Sequence, residues 1–320
     1  MTQARDQPAM AERHGPAGGA RPGRATGSDR QPASSAVQAS ARNVPVLMYH
    51  HITPAAGMIC TTPDLFEDQL SGLARKGYRS LTAEQFAHFL AGGAVPPRSV
   101  LITFDDGYLN NWVYAHPILK RHGMTAVLFA VTGWIGEGPC RAQMGAVASD
   151  ALPWCPDHAT CKKEIEAGRH DGVMARWDEL DAMMADGTFE VFSHTHTHTR
   201  WDKVSPDATS KREHIDLELA QSRAMLATRL GVHGNHLCWP QGYFDVDYLA
   251  AARDAGFTHL YTTDPWGQNL AHGDPGHIYR FAIRNRGASW LLRRLAIVSH
   301  PVIGPIYHRF QAWKKKRRQA

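Results

Sequence analysis

Ser99-Val100-Leu101-Ile102-Thr103-Phe104-Asp105-Asp106-Gly107-Tyr108 runs from an apolar stretch straight into two adjacent carboxylates and a glycine. A short apolar run bounded by a turn signal reads as a buried strand, and Gly107 supplies the turn that ends it. A second strand-like run, Phe189-Glu190-Val191-Phe192, ends on His194-Thr195-His196-Thr197-His198. Taken singly, Asp-Asp-Gly is an ordinary turn, and His-x-x-x-His is a polar stretch or a structural zinc site. Together, each where a strand runs out, they outline a metal-dependent hydrolase. One carboxylate and two imidazoles make a three-ligand site with an open position, and the spare carboxylate beside them takes a proton.

Outward from these two runs the chain alternates strand and helix. Val44 to Tyr49 reads as a strand ending at His50-His51, and Pro63 to Lys76 as a helix with Leu65, Phe66, Leu70 and Leu73 at helical spacing. Thr82 to Leu90 is a short helix, and another runs through Trp112 to Arg121 before the strand Ala126 to Val131. Helices over Arg176 to Ala185, Lys211 to Leu230 and Asp245 to Ala255 alternate with strands at Asn235 to Cys238, His259 to Tyr261 and Ile278 to Ile283. About seven strands separated by helices predict parallel pairing through right-handed crossovers, hence an α/β fold of the (β/α) barrel class, distorted or incomplete. His50, Asp105, Asp106, His194, Trp239 and Asp264 each fall just past a strand, on the rim where such folds bind ligands.

The 320 residues and 43% apolar content suit one large α/β domain with extensions, and no stretch is apolar enough to span a membrane. The net charge of +5 is local: Lys314, Lys315, Lys316, Arg317 and Arg318 carry it, and without them Lys plus Arg equals Asp plus Glu. A basic tail rather than a basic domain argues against a nucleic-acid surface. Residues 1–42, rich in Ala, Gly, Arg, Ser, Gln and Pro, read as a disordered leader without the core of an export signal, and Met10 is an alternative start. Five cysteines argue against a disulfide framework. Cys140, Cys155 and Cys161 lie in a segment over 136–176 that is expected to loop over the active face, as free thiols of a surface insertion rather than a zinc knuckle with His158 or His170.

Thr103-Phe104-Asp105-Asp106-Gly107-Tyr108 and His194-Thr195-His196-Thr197-His198 resemble the first two motifs of the polysaccharide deacetylases, carbohydrate esterase family four. Met48-Tyr49-His50-His51-Ile52, Arg176-Trp177-Asp178-Glu179-Leu180 and Trp239-Pro240-Gln241-Gly242 are similar to the poly-N-acetylglucosamine deacetylase branch. The resemblance covers roughly Val44 to Arg286, with 43–290 as the catalytic domain. It implies Asp106, His194 and His198 as metal ligands, Asp105 as catalytic base and His50 as general acid, with His277 the weaker substitute. Many members carry an arginine two residues before the proline of the third motif, where this chain has Cys238; Arg280 or Arg284 is the candidate replacement, and a surface ion pair the alternative. If the histidine segment stays extended, His194, His196 and His198 share a face; if it turns helical, His194 and His198 stand one turn apart and His196 is a rim residue. The family spacing favours the helical turn. Tyr108, through its backbone N–H, Trp239, Pro240 and Trp266 are the substrate-binding candidates, the two tryptophans being either an apolar wall or core.

The expected reaction is removal of an N-acetyl group from an N-acetylhexosamine of a glycan or glycolipid, releasing acetate. One divalent metal ion is expected, zinc by donor type, with cobalt, nickel or iron also compatible. A cytoplasmic enzyme, peripheral on the inner membrane face, would meet a polymer, a lipid-linked sugar or a lipopolysaccharide precursor. Residues 291–320 mix Leu291, Leu292, Leu295, Ile297, Ile306, Phe310 and Trp313 with arginines and the basic run. They suit either an interfacial element on anionic lipid or a last barrel helix followed by a solvated tail. Two other readings compete: a binding homologue without catalysis, which would be expected to lack the base or a ligand, and a glycoside hydrolase, which needs two carboxylates about 5–9.5 Å apart.

Overall fold

The computed structural model describes residues 40–319. The leader expected over 1–42 therefore lies, up to residue 39, outside the described residues, as do the side chains of the basic run after Lys314.

The chain begins with β1 (Val46–Tyr49), β2 (His51–Ile52), β3 (Cys60–Thr61), α1 (Pro63–Arg75), β4 (Arg79–Ser80), α2 (Ala83–Leu90) and β5 (Ser99–Asp106). A π-helical turn, Asn111–Ala115, leads into α3 (His116–His122), and β6 (Ala126–Ala130) follows. The insertion carries α4 (His158–Glu166). Then come α5 (Trp177–Ala185), β7 (Phe189–Ser193), α6 (Trp201–Val204), α7 (Ala208–Leu230), β8 (His236–Cys238), α8 (Val246–Asp254), β9 (His259–Tyr261), β10 (Phe281–Ala282), α9 (Ala288–Ser299) and α10 (Ile303–Gln319). The expected strand over Ile278–Ile283 is shorter than its pattern, because Ile278 bridges Tyr261 before the chain turns to pair Phe281 with Leu47.

Seven strands lie side by side in the order β10-β1-β5-β6-β7-β8-β9, all parallel, with β4 paired to the start of β5. The Tyr261–Ile278 bridge brings the far edge back toward β10, so the sheet curls into a distorted (β/α) barrel. The period-2 pleat sorts each strand's side chains. Phe104 faces the helices, packed on Tyr49, Phe66 and Phe189, while Leu101 joins Val127, Phe129 and Tyr261 inside the barrel. Thr103 and Asp105 share that inner face, which is why a charge at Asp105 must find a buried partner. α9 closes the outer layer with Leu291, Leu295 and Val298 in the core, so the boundary expected at residue 290 falls inside a barrel helix.

Candidate active site

Adjacent residues of a strand point to opposite faces, yet Asp105 and Asp106 line the same cavity. The backbone resolves this: Asp106 has φ 76° and Gly107 φ 90°, so the alternation breaks at the last strand residue. Asp105 stays inside the barrel, 2% exposed, where Arg280 grips it with two hydrogen bonds, Nη1 to Oδ1 at 2.6 Å and Nη2 to Oδ2 at 2.8 Å. Burial works to raise the Asp105 carboxyl, and the Arg280 guanidinium overcomes it, holding the group below its ordinary value. Arg280 is itself fully buried, donates to the Thr262 carbonyl, and lies 3.0 Å from the Cys238 sulfur. Of the two candidate replacements for the missing arginine, Arg280 is thus the one beside Asp105. It is a buried ion pair, not a surface one.

The histidine segment takes neither of its expected conformations. β7 ends at Ser193, and Thr195 (φ 68°) and His198 (φ 62°) both turn left-handed, so a bent loop, not a helical turn, carries the two rings. Glu218 of α7 shapes that loop: its buried carboxylate accepts from the His196 and Thr197 backbone N–H groups and from the Thr197 hydroxyl. The Nε2 atoms of His194 and His198 stand 3.3 and 3.6 Å from Asp106 Oδ1. His196 points elsewhere, its Nδ1 2.9 Å from the Thr132 hydroxyl.

His194 Nδ1 lies 2.8 Å from the Cys238 carbonyl, so it donates there and turns Nε2 toward Asp106. That nitrogen and the buried carboxylate, 3.3 Å apart, call for a positive charge, which a proton on the ring or a cation between them can supply. The Asp106, His194 and His198 ligand atoms all lie within 4.8 Å of one another. Asp105, His194 and Cys238 satisfy the same distance, but the Arg280 guanidinium already occupies the Asp105 oxygens and the sulfur, and a cation there would meet a fixed positive charge. The donor set at Asp106 therefore fits a divalent cation and the set at Cys238 does not.

His50 follows β1, with Nε2 3.7 Å from Asp105 Oδ2, and lines the cavity. The Asn111 amide, in the π-helical turn after the Asp-Asp motif, donates to the His50 carbonyl and fixes this loop. Next to it runs a directional chain. Asn110 Oδ1 accepts from the Ile52 N–H, so the Asn110 NH2 faces His51 Nδ1 at 2.9 Å. Burial, with the nearby His50 and His158 rings, lowers His51 to about 3, so it is neutral and its proton sits on Nε2, 3.2 Å from His158 Nδ1. His158 accepts on Nδ1, also 3.4 Å from the Tyr108 hydroxyl, and keeps its own proton on Nε2.

His158 comes from α4, so the insertion builds one wall of the site with Lys162, Ile165 and Glu166. Trp239, Gln241 and Thr263 form the opposite wall and Trp134 a third, around a cavity of about 340 Å³. The Arg141–Glu179 pair, with the carboxylate fully buried, anchors the insertion. Cys161 is buried against Tyr108, Val173 and Met174, which corrects its expected place at the surface, while Cys140 is exposed. Two substrate-binding candidates do not line the cavity. Pro240 is buried because Gln241, at φ 54°, turns its own side of the chain inward instead. Trp266 lies outside the wall because its N–H closes a turn on Asp264 that leads the chain away. His277, paired with Asp264 at 3.3 Å, is outside it too. Sequence reading missed Glu218, and considered His158 only as a partner in a zinc knuckle. A carboxylate within the amphipathic run of α7 was a visible signal for the first; for the second only a histidine in the insertion was visible.

The sequence pattern of the polysaccharide deacetylases matches residues 92–260, more than half of the chain. The chain belongs to the polysaccharide deacetylase family. A putative polysaccharide deacetylase of Bacillus subtilis, YxkH, is 25% identical over 231 residues, 72% of this chain and 68% of that one. The poly-beta-1,6-N-acetyl-D-glucosamine N-deacetylase of Staphylococcus aureus is 24% identical over 201 residues, 62% of this chain and 59% of that protein's length. IcaB from Ammonifex degensii shares the fold at a TM-score of 0.60 and 22% identity, covering 77% of this chain and 93% of its own. The Streptococcus pyogenes deacetylase PplD does so at 0.61 and 21%, covering 78% and 97%. This family member places His50 and Arg280 outside the matched span, although both meet Asp105 within it.

Proposed function

We propose that this polysaccharide deacetylase removes the acetyl group from an N-acetylhexosamine of a glycan or glycolipid by metal-dependent hydrolysis. The single observation that carries the reading is the pair of unequal carboxylates on one turn. Asp106 faces two imidazoles, and Asp105, one residue away, is held ionised by Arg280. A divalent cation, zinc by donor type, would be held by Asp106, His194 and His198, and supplies Lewis acidity toward a carbonyl oxygen and hydroxide near neutral pH.

The chain's own residues do the rest. Asp105 takes the proton of the attacking water as the carbon–oxygen bond forms, and Arg280 keeps its oxygens aimed at the cavity. The bridge between Tyr108 and Met174 uses the atoms on either side: Leu109 N–H donates to Val173, and Ala175 N–H donates to the Gly107 carbonyl. The Tyr108 N–H is therefore directed away from the insertion strand, where it can meet a developing oxyanion. His50 delivers a proton to the departing nitrogen as the carbon–nitrogen bond breaks, leaving acetate and a free amino sugar. The Trp239 ring, fully buried, forms the apolar back wall for the acetyl methyl group. His158, whose Nε2–H is fixed by the relay through Asn110 and His51, is a positioning donor for a sugar oxygen. A cavity of about 340 Å³ lies at the small end of ligand sites and suits one hexosamine.

Acetate release from a panel of free, polymeric and lipid-linked N-acetylated sugars, with and without chelator, tests this. Asp105→Asn should retain the cation by elemental analysis and lose turnover, whereas His198→Ala should lose both. Release of reducing sugar without acetate would replace the assignment with a glycosidase.

A further inference from the structure

The segment after residue 290 contains two helices with different fates. α9 is a barrel helix; α10 lies outside it, antiparallel to α9. Gly304 abuts the Ile297 and Val298 carbonyls, and Tyr307 contacts Arg294 one turn earlier in α9. α10 thus runs back toward the strand C-terminal rim on which the cavity opens. One of its faces is committed: Gly304 and His308 are buried against the body of the domain.

The other face is uncovered. Ile303, Ile306 and Phe310 are 51%, 63% and 49% exposed, and Val302 just before the helix is 62% exposed. Their spacing puts them on one stripe, continued by Trp313, which stacks on Phe310. Arg309 and Lys314 flank that stripe, the lysine with its ammonium 4.7 Å from the Phe310 ring centroid. No aspartate or glutamate follows Asp274, and Lys314-Lys315-Lys316-Arg317-Arg318 continues the helix. No described helix is long and apolar enough to cross a membrane.

We propose that α10 is an interfacial element that lays its apolar stripe into an anionic lipid bilayer and brings the cavity rim to that surface. This occupant satisfies both halves of the patch. A nucleic acid would reward the positive charge and leave the apolar stripe without a partner. A second copy meeting this face by two-fold symmetry would cover the stripe, but its own α10 brings no carboxylate to the basic run. Acyl chains take the large side chains to a shallow depth while anionic headgroups meet the lysines and arginines. The inference goes beyond the deacetylase reading and is read without turnover, so either can fail alone.

The test is co-sedimentation of the full chain with vesicles of phosphatidylcholine alone or with about 30% phosphatidylglycerol. The expected result is binding at least roughly tenfold tighter to the anionic vesicles and weakened by salt. The double variant Ile306→Asp, Phe310→Asp and the triple variant Lys314→Glu, Lys315→Glu, Lys316→Glu should each lose that preference while keeping the parent's melting temperature. If the double variant does not fold, the triple variant decides, since it changes charge alone and leaves the apolar stripe of α10 intact. Equal binding to both vesicles, or undiminished binding by a folded variant, overturns the proposal. So does light scattering that shows a dimer which Ile306→Asp, Phe310→Asp breaks, or displacement of the chain from vesicles by a short DNA duplex.

Discussion

Replacing Arg280 with methionine keeps most of the side-chain volume and removes the charge that holds Asp105. The two residues are 0% and 3% exposed and share two hydrogen bonds of 2.6 and 2.8 Å. Breaking one partner of such a buried pair costs about 3–5 kcal/mol, because the remaining charge has no solvent and no counter-ion. The Thr262 carbonyl also loses its guanidinium donor. The pH dependence identifies the cause. In the parent, Arg280 holds the Asp105 carboxyl below its ordinary 3.8 against the effect of burial, so the group contributes stability above that value. That contribution is lost as pH falls through the depressed folded value. In Arg280→Met burial loses its main opponent and only the weaker pull of the His50 and His194 rings remains, so the folded value rises and the carboxylate's contribution to stability at neutral pH shrinks or reverses, with relief by protonation as pH falls. Urea titrations at neutral pH and at about pH 4 should therefore show a stability gap that narrows with acid. Adding Asp105→Asn to the variant should recover most of the loss, since it removes the stranded charge. Turnover should fall by about 10²-fold or more, because the carboxylate is no longer held in position by the two guanidinium hydrogen bonds. A gap under about 1 kcal/mol, or one that does not change with pH, would refute the view that this ion pair holds the base.

Two further outcomes follow from the same geometry. His158→Phe keeps the ring and removes the Nε2–H donor, so KM for the N-acetylated sugar should rise about tenfold with kcat little changed, and His158→Gln should restore part of it; an equal loss in kcat would move His158 from positioning to chemistry. Gly242 sits at φ +68°, and a Cβ there would lie 2.1 Å from the Thr263 hydroxyl, so Gly242→Ala should destabilise the chain by about 1–3 kcal/mol in urea unfolding, and Thr263→Ala should not fully rescue it because the backbone strain remains.

The parts of the site that are local in sequence were legible, and the parts that depend on where the chain comes back were not. Asp105 and Asp106 are neighbours after an apolar run, and a strand followed by glycine can be read from ten letters. The alternation of apolar runs and helical stripes likewise dictates a parallel barrel, since each crossover must return to the same end of the sheet. Pro240 and Trp266 show the limit. Each follows a strand, as a rim residue should, but a left-handed Gln241 and a turn closed on Asp264 re-aim the chain within one or two residues. Non-glycine residues at positive φ carry no sequence signature, and Asp106, Thr195, His198 and Gln241 all adopt it around this cavity. That cluster is also a physical statement about the site. Each such residue costs of order 1 kcal/mol and persists only because its surroundings over-determine it. The surroundings here are specific. Glu218 grips the histidine loop, and Arg280 crosses the barrel from the far end of the chain to Asp105. The catalytic letters are thus written in two short motifs, while their geometry is enforced by residues 22 to 175 positions away, which no motif records.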